Sequence, residues 1–255
     1  MSSILILGQS GTGKTRSLTT LPGTLVVSEF DPSGERSIRR SLRYFEPGDA
    51  DQIAELDDFT DKDAAVIRYL SIAKIVTKDY KLDAKYLNHK RMLDLYILDT
   101  NVLITKADNI QNIACDPLTG LSKVAKGAIF AGAGTKGPTF RDWDLFAEKV
   151  LEICEVCQGY ESKNFIMTAH LQTEKDAITE AIIQTPYAEG QKISRTIMQA
   201  FDVVYLAVYR DGQYVWRTKP TETLQSIRNR LIDGDDVPDY IPQNFTDLLS
   251  VMPKK

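Results

Sequence analysis

Histidine and cysteine are both scarce in this chain of 255 residues, with two histidines (His89 and His170) and three cysteines (Cys115, Cys154 and Cys157). An odd and small number of thiols makes no disulfide framework and fits a reducing compartment. Cys154 and Cys157 have the spacing of half a zinc site. There is no second Cys pair, however, and the helical company of Leu145, Phe146, Val150 and Ile153 points to core packing. No apolar run approaches the roughly 18 residues that cross a bilayer, so no membrane contact is expected. A strand-like segment begins almost at the first residue and leaves no room for a signal peptide, and together these absences predict a cytoplasmic protein. Positive charge is not in excess either, and the formal net charge of −4 excludes a polycation that grips nucleic acid in bulk. Any nucleic-acid site would have to be a local basic patch.

What is present is concentrated near the start. Gly8, Gln9, Ser10, Gly11, Thr12, Gly13, Lys14 and Thr15 form a complete G-x-x-x-x-G-K-[ST] loop. The apolar run Ile4 to Leu7 before it suits a buried parallel strand, and Thr15 to Thr20 after it can continue as a helix up to Pro22-Gly23. Glycines let backbone N–H groups wrap a phosphate, Lys14 adds charge for the β- and γ-phosphates, and the Thr15 hydroxyl suits Mg²⁺. The motif therefore predicts binding of a nucleoside triphosphate with Mg²⁺.

Thr24 to Ser28 reads as a second strand ending at Glu29. In an alternating strand–helix chain, ligands gather at the carboxyl ends of the strands. Glu29 is thus either a general base for the attacking water or a solvated turn carboxylate beside Asp31. Arg36, Arg39, Arg40 and Arg43 mark a short polar helix, Gln52 to Leu56 a short strand, and Asp61 to Leu87 a helix over the sheet. Leu93 to Asp99 looks like an apolar strand ending in a magnesium-ligating carboxylate, which makes Asp99 the metal ligand. Thr100 and Asn101 follow it without a second acid, so the base must come from elsewhere, and Glu29 is the candidate.

Residues 115 to 140 read as a long loop carrying Lys123, Lys126 and Lys136, with Arg141 opening the next helix. Asn164 to His170 is a further strand, from which Thr168, His170 or Gln172 could sense the γ-phosphate. Residues 171 to 195 read as irregular, with Lys175, Lys192 and Arg195. Phe201 to Tyr209 and Tyr214 to Lys219 form a hairpin about Asp211-Gly212, and Arg228 and Arg230 follow. The organisation is one domain over 1–255, with a core to about 232 and a tail over 233–255.

On the loop, the strand ending at Glu29, the strand Leu95 to Asp99, the strand ending Thr168-Ala169-His170, the closing hairpin with Thr218-Lys219-Pro220 and the basic Arg228-Asn229-Arg230, the chain resembles the RecA-like P-loop ATPases. Among these it is most similar to small phage-encoded AAA/RecA-type proteins that include single-strand annealing ATPases. That resemblance implies an α/β fold with a mostly parallel central sheet flanked by helices and an antiparallel C-terminal hairpin. It implies an ATP- and Mg²⁺-dependent ATPase acting on single-stranded DNA in recombination, annealing or replication, inside the host cytoplasm. Glu29 would be the catalytic glutamate, Asp99 the magnesium ligand and Thr168 to Gln172 the γ-phosphate sensor. The two loops, with Lys123, Lys126, Lys136, Arg141, Lys175, Lys192 and Arg195, would bind DNA. A homo-oligomer is implied, with Lys219 reaching a neighbour's site rather than its own. Partners would include single-strand-binding or other replication and recombination proteins. Two readings from other classes share the phosphate loop: a small-molecule kinase with the arginines at 36 to 43 as lid, and a nucleotide-dependent assembly switch without DNA binding.

Overall fold

The computed structural model describes residues 2–31, 34–69, 82–131, 133, 137–158, 162–176, 180–232 and 237–252. Alternation of short apolar runs with amphipathic segments gives one sheet, eleven-stranded among the described residues. Its centre is β1 (Ser3–Gly8), flanked by β6 (Asn164–Lys175) and β8 (Val203–Arg210), both parallel to it. Beyond β6 come β5 (Asn112–Asp116), β2 (Leu25–Glu29), β4 (Asp63–Arg68) and β3 (Ser41–Phe45), all parallel. Beyond β8 the direction reverses into β9 (Gln213–Arg217), and β11 (Tyr240–Pro242) closes that edge. The pair β7 (Ile182–Pro186) and β10 (Arg228–Asn229) lie off this path on β6 and β8.

Strands β1, β2 and β5 are buried at every residue, as parallel strands covered on both faces must be. The cover comes from helices α3 (Leu82–Thr105), α4 (Leu118–Phe130) and α5 (Phe140–Gln158), packed α3 on α4 and α4 on α5. Short helices α1 (Lys14–Ser17), α2 (Ala50–Ala54), α6 (Gln191–Thr196) and α7 (Phe245–Val251) complete the set. The hairpin at Asp211 (φ 51°) and Gly212 (φ 80°) turns through two left-handed residues, the geometry that matches strand twist. Cys154 is fully buried, in keeping with core packing.

Several elements differ from the sequence expectation. Leu93 to Thr100 lies inside helix α3 rather than on a strand. Leu93, Tyr96, Thr100 and Leu103 are buried while Asp94 and Leu98 are exposed, a spacing of three to four residues that only a helix satisfies. Residues 115 to 140 are not one loop: Cys115 and Asp116 end β5, and Leu118 to Phe130 is helical. Asp63 to Arg68, expected as helix, is β4; Ser41 to Phe45 is β3; and Ala50 to Ala54, near the expected strand, is helical. The irregular stretch after His170 is largely the β6–β7 ribbon and α6. Residues 240–252 are packed into the molecule, with Phe245, Leu248 and Met252 buried. The remainder of the helix expected over Asp61 to Leu87, at 70–81, falls outside the described residues.

Candidate active site

β1 delivers the glycine loop at the carboxyl edge of the sheet, level with His170 across β6. Gly13 sits at φ 88°, where a side chain is strained, and a Cβ there would meet Tyr214 at 2.7 Å. At Gly8 a Cβ would stand 2.8 Å from the Ala207 carbonyl, so β8 also requires glycine in the loop. Lys14 is 6% exposed, and its Nζ donates to the carbonyl oxygens of Gly8 (2.9 Å) and Gln9 (2.8 Å). Burial lowers its pKa to about 8, partly offset by the charge of Asp116.

The carboxylate opposite the loop belongs to Asp116, the last residue of β5. The Thr15 hydroxyl donates to its Oδ2 at 2.7 Å, and the Thr168 hydroxyl donates to its Oδ1. Burial is the largest cause raising the Asp116 pKa, with these hydroxyls and Lys14 acting against it. A hard divalent cation takes oxygen donors, and the paired Thr15 hydroxyl and Asp116 carboxylate fit Mg²⁺. No cluster of three or more His, Cys, Asp or Glu suited to a metal occurs among the described residues. Such a site matches a cation that arrives with phosphate and water as its other ligands.

Asp99, expected as that ligand, is elsewhere. Its carboxylate accepts from the Tyr69 hydroxyl (2.6 Å) and from the backbone N–H groups of Gly48 (2.8 Å) and Ala50 (3.4 Å). It ties α3 to the start of α2, a structural duty. Asp116→Asn should therefore raise the Mg²⁺ concentration needed for half-maximal turnover by about tenfold or more. Asp99→Asn should leave that titration unchanged and lower the melting temperature, because a buried partner lost there costs about 1–3 kcal/mol. A Mg²⁺ titration of turnover and a thermal melt of both variants check this.

Glu29 ends β2 in register with Asp116 on one side and Arg68 on the other. It is 2% exposed. Its Oε1 accepts the Glu35 backbone N–H at 2.9 Å, and Arg68 Nε approaches Oε2 at 3.3 Å. Burial pushes the Glu29 pKa up to about 7; Arg68 opposes that rise and Asp116 adds to it. A carboxyl held near neutrality beside a phosphate loop is poised for proton transfer. The cleft at the glycine loop is lined by Ser10, Gly11, Lys14, Asp31, Asp116 and His170 among others. Burial, and then the charge of Lys14, lowers the His170 pKa and favours the neutral imidazole.

Other expected residues are not brought to this cleft. The Gln172 amide donates to Glu174 Oε1 (2.6 Å) and Ser194 Oγ (3.0 Å), bracing the ribbon to α6. Lys219 follows β9, which runs opposite to β1, so the chain there heads toward the amino end of β1 and away from its own loop. The expected DNA-contacting cations are mostly paired: Lys126 with Glu189 (2.7 Å), Lys192 with Asp144 (2.8 Å) and Lys175 with Glu180 (3.2 Å). Arg195 lies 3.7 Å from Glu174 and 3.8 Å from Asp176. Lys123 lines a second cleft with Phe30, Tyr187 and His170, Arg141 is exposed at the start of α5, and Lys136 lies outside the described residues.

Sequence reasoning missed Asp116, although Ile113-Ala114-Cys115 before it is a short apolar run. It also missed Arg68, for which no local signal exists, and the C-terminal segment. Gln243 Nε2 donates to the Thr12 carbonyl of the phosphate loop at 2.9 Å and to Val215 at 3.0 Å.

A strand, a glycine loop, a helix and an opposing strand-end aspartate are thus joined in one site. Residues 2–231 match the family model AAA_24, described as an AAA domain. The chain belongs to this AAA domain family. Membership supports nucleotide binding and hydrolysis in general. No curated protein is a match to the sequence. Among solved structures, one titled "Crystal structure of the RadB recombinase" is similar to this AAA domain at 10% identity and a TM-score of 0.36. That alignment covers 84% of this chain and 79% of the other. No helix among the described residues is long and apolar enough to cross a membrane.

Proposed function

We propose that this AAA-domain protein is a Mg²⁺-dependent ATPase with Glu29 as general base, and that it works on single-stranded DNA as a homo-oligomer. The observation that carries the catalytic part is the register of Glu29 with Asp116 on adjacent strands, both buried and both at the edge where the loop emerges. Lys14 and the loop N–H groups hold the triphosphate, and Thr15 with Asp116 would hold Mg²⁺. When bound, Mg²⁺ neutralises charge on the β- and γ-phosphates. Glu29 takes a proton from water as the water oxygen bonds to the γ-phosphorus and the bond to the bridging oxygen breaks, releasing ADP and phosphate. Neutral His170 and Thr168, midway along β6 and level with Gly8 and Ile6 of β1, are suited to report the γ-phosphate.

The DNA part is supported by the resemblance to single-strand annealing ATPases and by one structural feature. A second cleft of about 480 Å³ joins the nucleotide cleft through Asp31, Pro117 and His170, and carries a cation, Lys123, beside the aromatic Tyr187. A base on an aromatic face with a phosphate on lysine is how strands are held without sequence preference. The kinase reading gains nothing from Arg40 and Arg43. Arg40 donates to the carbonyls of Leu21 and Gly23, and Arg43 pairs with Asp58 at 2.7 Å, so neither is a lid cation.

ATP turnover with and without single-stranded DNA tests the proposal. Turnover that requires Mg²⁺ and rises with DNA is the expected result. Turnover that DNA leaves unchanged removes the DNA part, and phosphoryl transfer to a small acceptor in place of water removes the ATPase part.

A further inference from the structure

Arg68 is the last residue of β4, side by side with Glu29. Its guanidinium is held from three directions. Nε lies 3.3 Å from Glu29 Oε2, an Nη pairs with the Glu35 carboxylate, and the plane sits 4.1 Å from the centre of the Tyr44 ring on edge strand β3. Glu35 closes the arrangement by giving its backbone N–H to Glu29 Oε1. Each oxygen of the Glu29 carboxylate therefore has its own restraint, and Glu35 braces both.

The two restraints differ in kind. Oε1 receives a hydrogen bond, whereas the contact of Oε2 with Arg68 is an ion pair without hydrogen-bond geometry. Neither Glu29 Oε2 nor Arg68 Nε has a hydrogen-bond partner among the described residues. Charge attraction thus fixes the buried Oε2, while the Glu35 N–H fixes Oε1. A buried carboxylate with no cation beside it would meet the full cost of desolvation and take up a proton instead.

We infer that Arg68 is the positioning residue of this site, fixing the place and orientation of the Glu29 carboxylate, and itself held by Glu35 and Tyr44. The inference rests on the proposed role of Glu29 as general base. It makes Arg68 a determinant of the chemical step and not of nucleotide affinity.

The test is steady-state ATP turnover and nucleotide binding for Arg68→Gln, Arg68→Lys, Glu29→Gln and the Arg68→Gln/Glu29→Gln double variant. Arg68→Gln should lower kcat by about tenfold or more with KM within about twofold, as expected when a reacting group is misplaced and binding is not. Arg68→Lys should recover part of kcat, because it restores the charge without the planar fork. In the Glu29→Gln background, Arg68→Gln should cause no further loss. An unchanged kcat, an equal effect on KM, or a loss that adds fully to that of Glu29→Gln each overturns the inference. If Arg68→Gln does not fold, Tyr44→Leu removes the ring beneath the guanidinium; a smaller loss confined to kcat is expected, and unchanged kcat overturns the inference. Failure of the underlying reading shows separately, as a wild-type protein without ATP turnover or a fully active Glu29→Gln.

Discussion

Glu29→Gln will stop ATP turnover while leaving ATP and Mg²⁺ binding in place. The amide keeps the size of the side chain and can still accept the Glu35 N–H on its oxygen. It cannot take a proton from water, so kcat should fall by roughly 10²-fold or more, the usual contribution of a general base. The pH dependence gives an independent reading of the same group. With its pKa raised to about 7, Glu29 in the free enzyme is protonated below that value and ionised above it. The active form is the ionised one, so kcat/KM should rise with pH and reach half its plateau near 7, since kcat/KM reports groups of the free enzyme. Glu29→Gln should abolish that rising limb. A turnover that survives the substitution, or a limb that persists in the variant, would assign the base to another group.

Loss of triphosphate binding is the expected result of Lys14→Ala. Lys14 is the one cation of the glycine loop itself, and it is buried against the Gly8 and Gln9 carbonyls rather than extended into solvent. Burial already weakens its hold on a proton, and an incoming triphosphate would restore it by placing negative charge beside the ammonium. Removing one partner of a buried charge pair costs about 2–5 kcal/mol, which corresponds to roughly 30- to 5,000-fold in affinity. The substitution leaves Gly8, Gly11 and Gly13 untouched, so the loop should keep its path and the variant should fold. Equilibrium binding of a fluorescent ATP analogue, with a thermal melt as the fold control, measures this. Wild-type affinity in a folded variant would remove the loop from the nucleotide site.

Lys14 and Glu29 stand out as site candidates because each sits in a pattern that is local in the chain. The glycine loop is eight consecutive residues between a strand and a helix, and Glu29 ends a clean apolar run. Asp116 and Asp99 show the opposite case. Each closes an apolar stretch, but in one dimension the longer one before Asp99 looks like a strand while residues 115 to 140 read as a loop. Four to eight apolar residues satisfy a strand and a helix face equally well. Packing separates them: the stretch before Asp116 slots between β2 and β6, while that before Asp99 lays one face on its neighbours and exposes Leu98. The same holds for Lys219, whose distance from its own loop follows from the antiparallel direction of β9 and not from its neighbours in sequence.

The sequence by itself determined the phosphate-loop motif and Glu29 as a candidate base, because both are written in contiguous residues. Tertiary structure alone decided that Asp116 and not Asp99 stands against Thr15 of the loop, and that Arg68 lies beside Glu29. The Thr15–Asp116 hydrogen bond spans 101 positions of chain, and the Glu29–Arg68 pair joins neighbouring strands that are distant in sequence. Contacts of that range depend on which strands the folded sheet makes adjacent, and strand order is set by the packing of whole faces, which no short stretch of residues records.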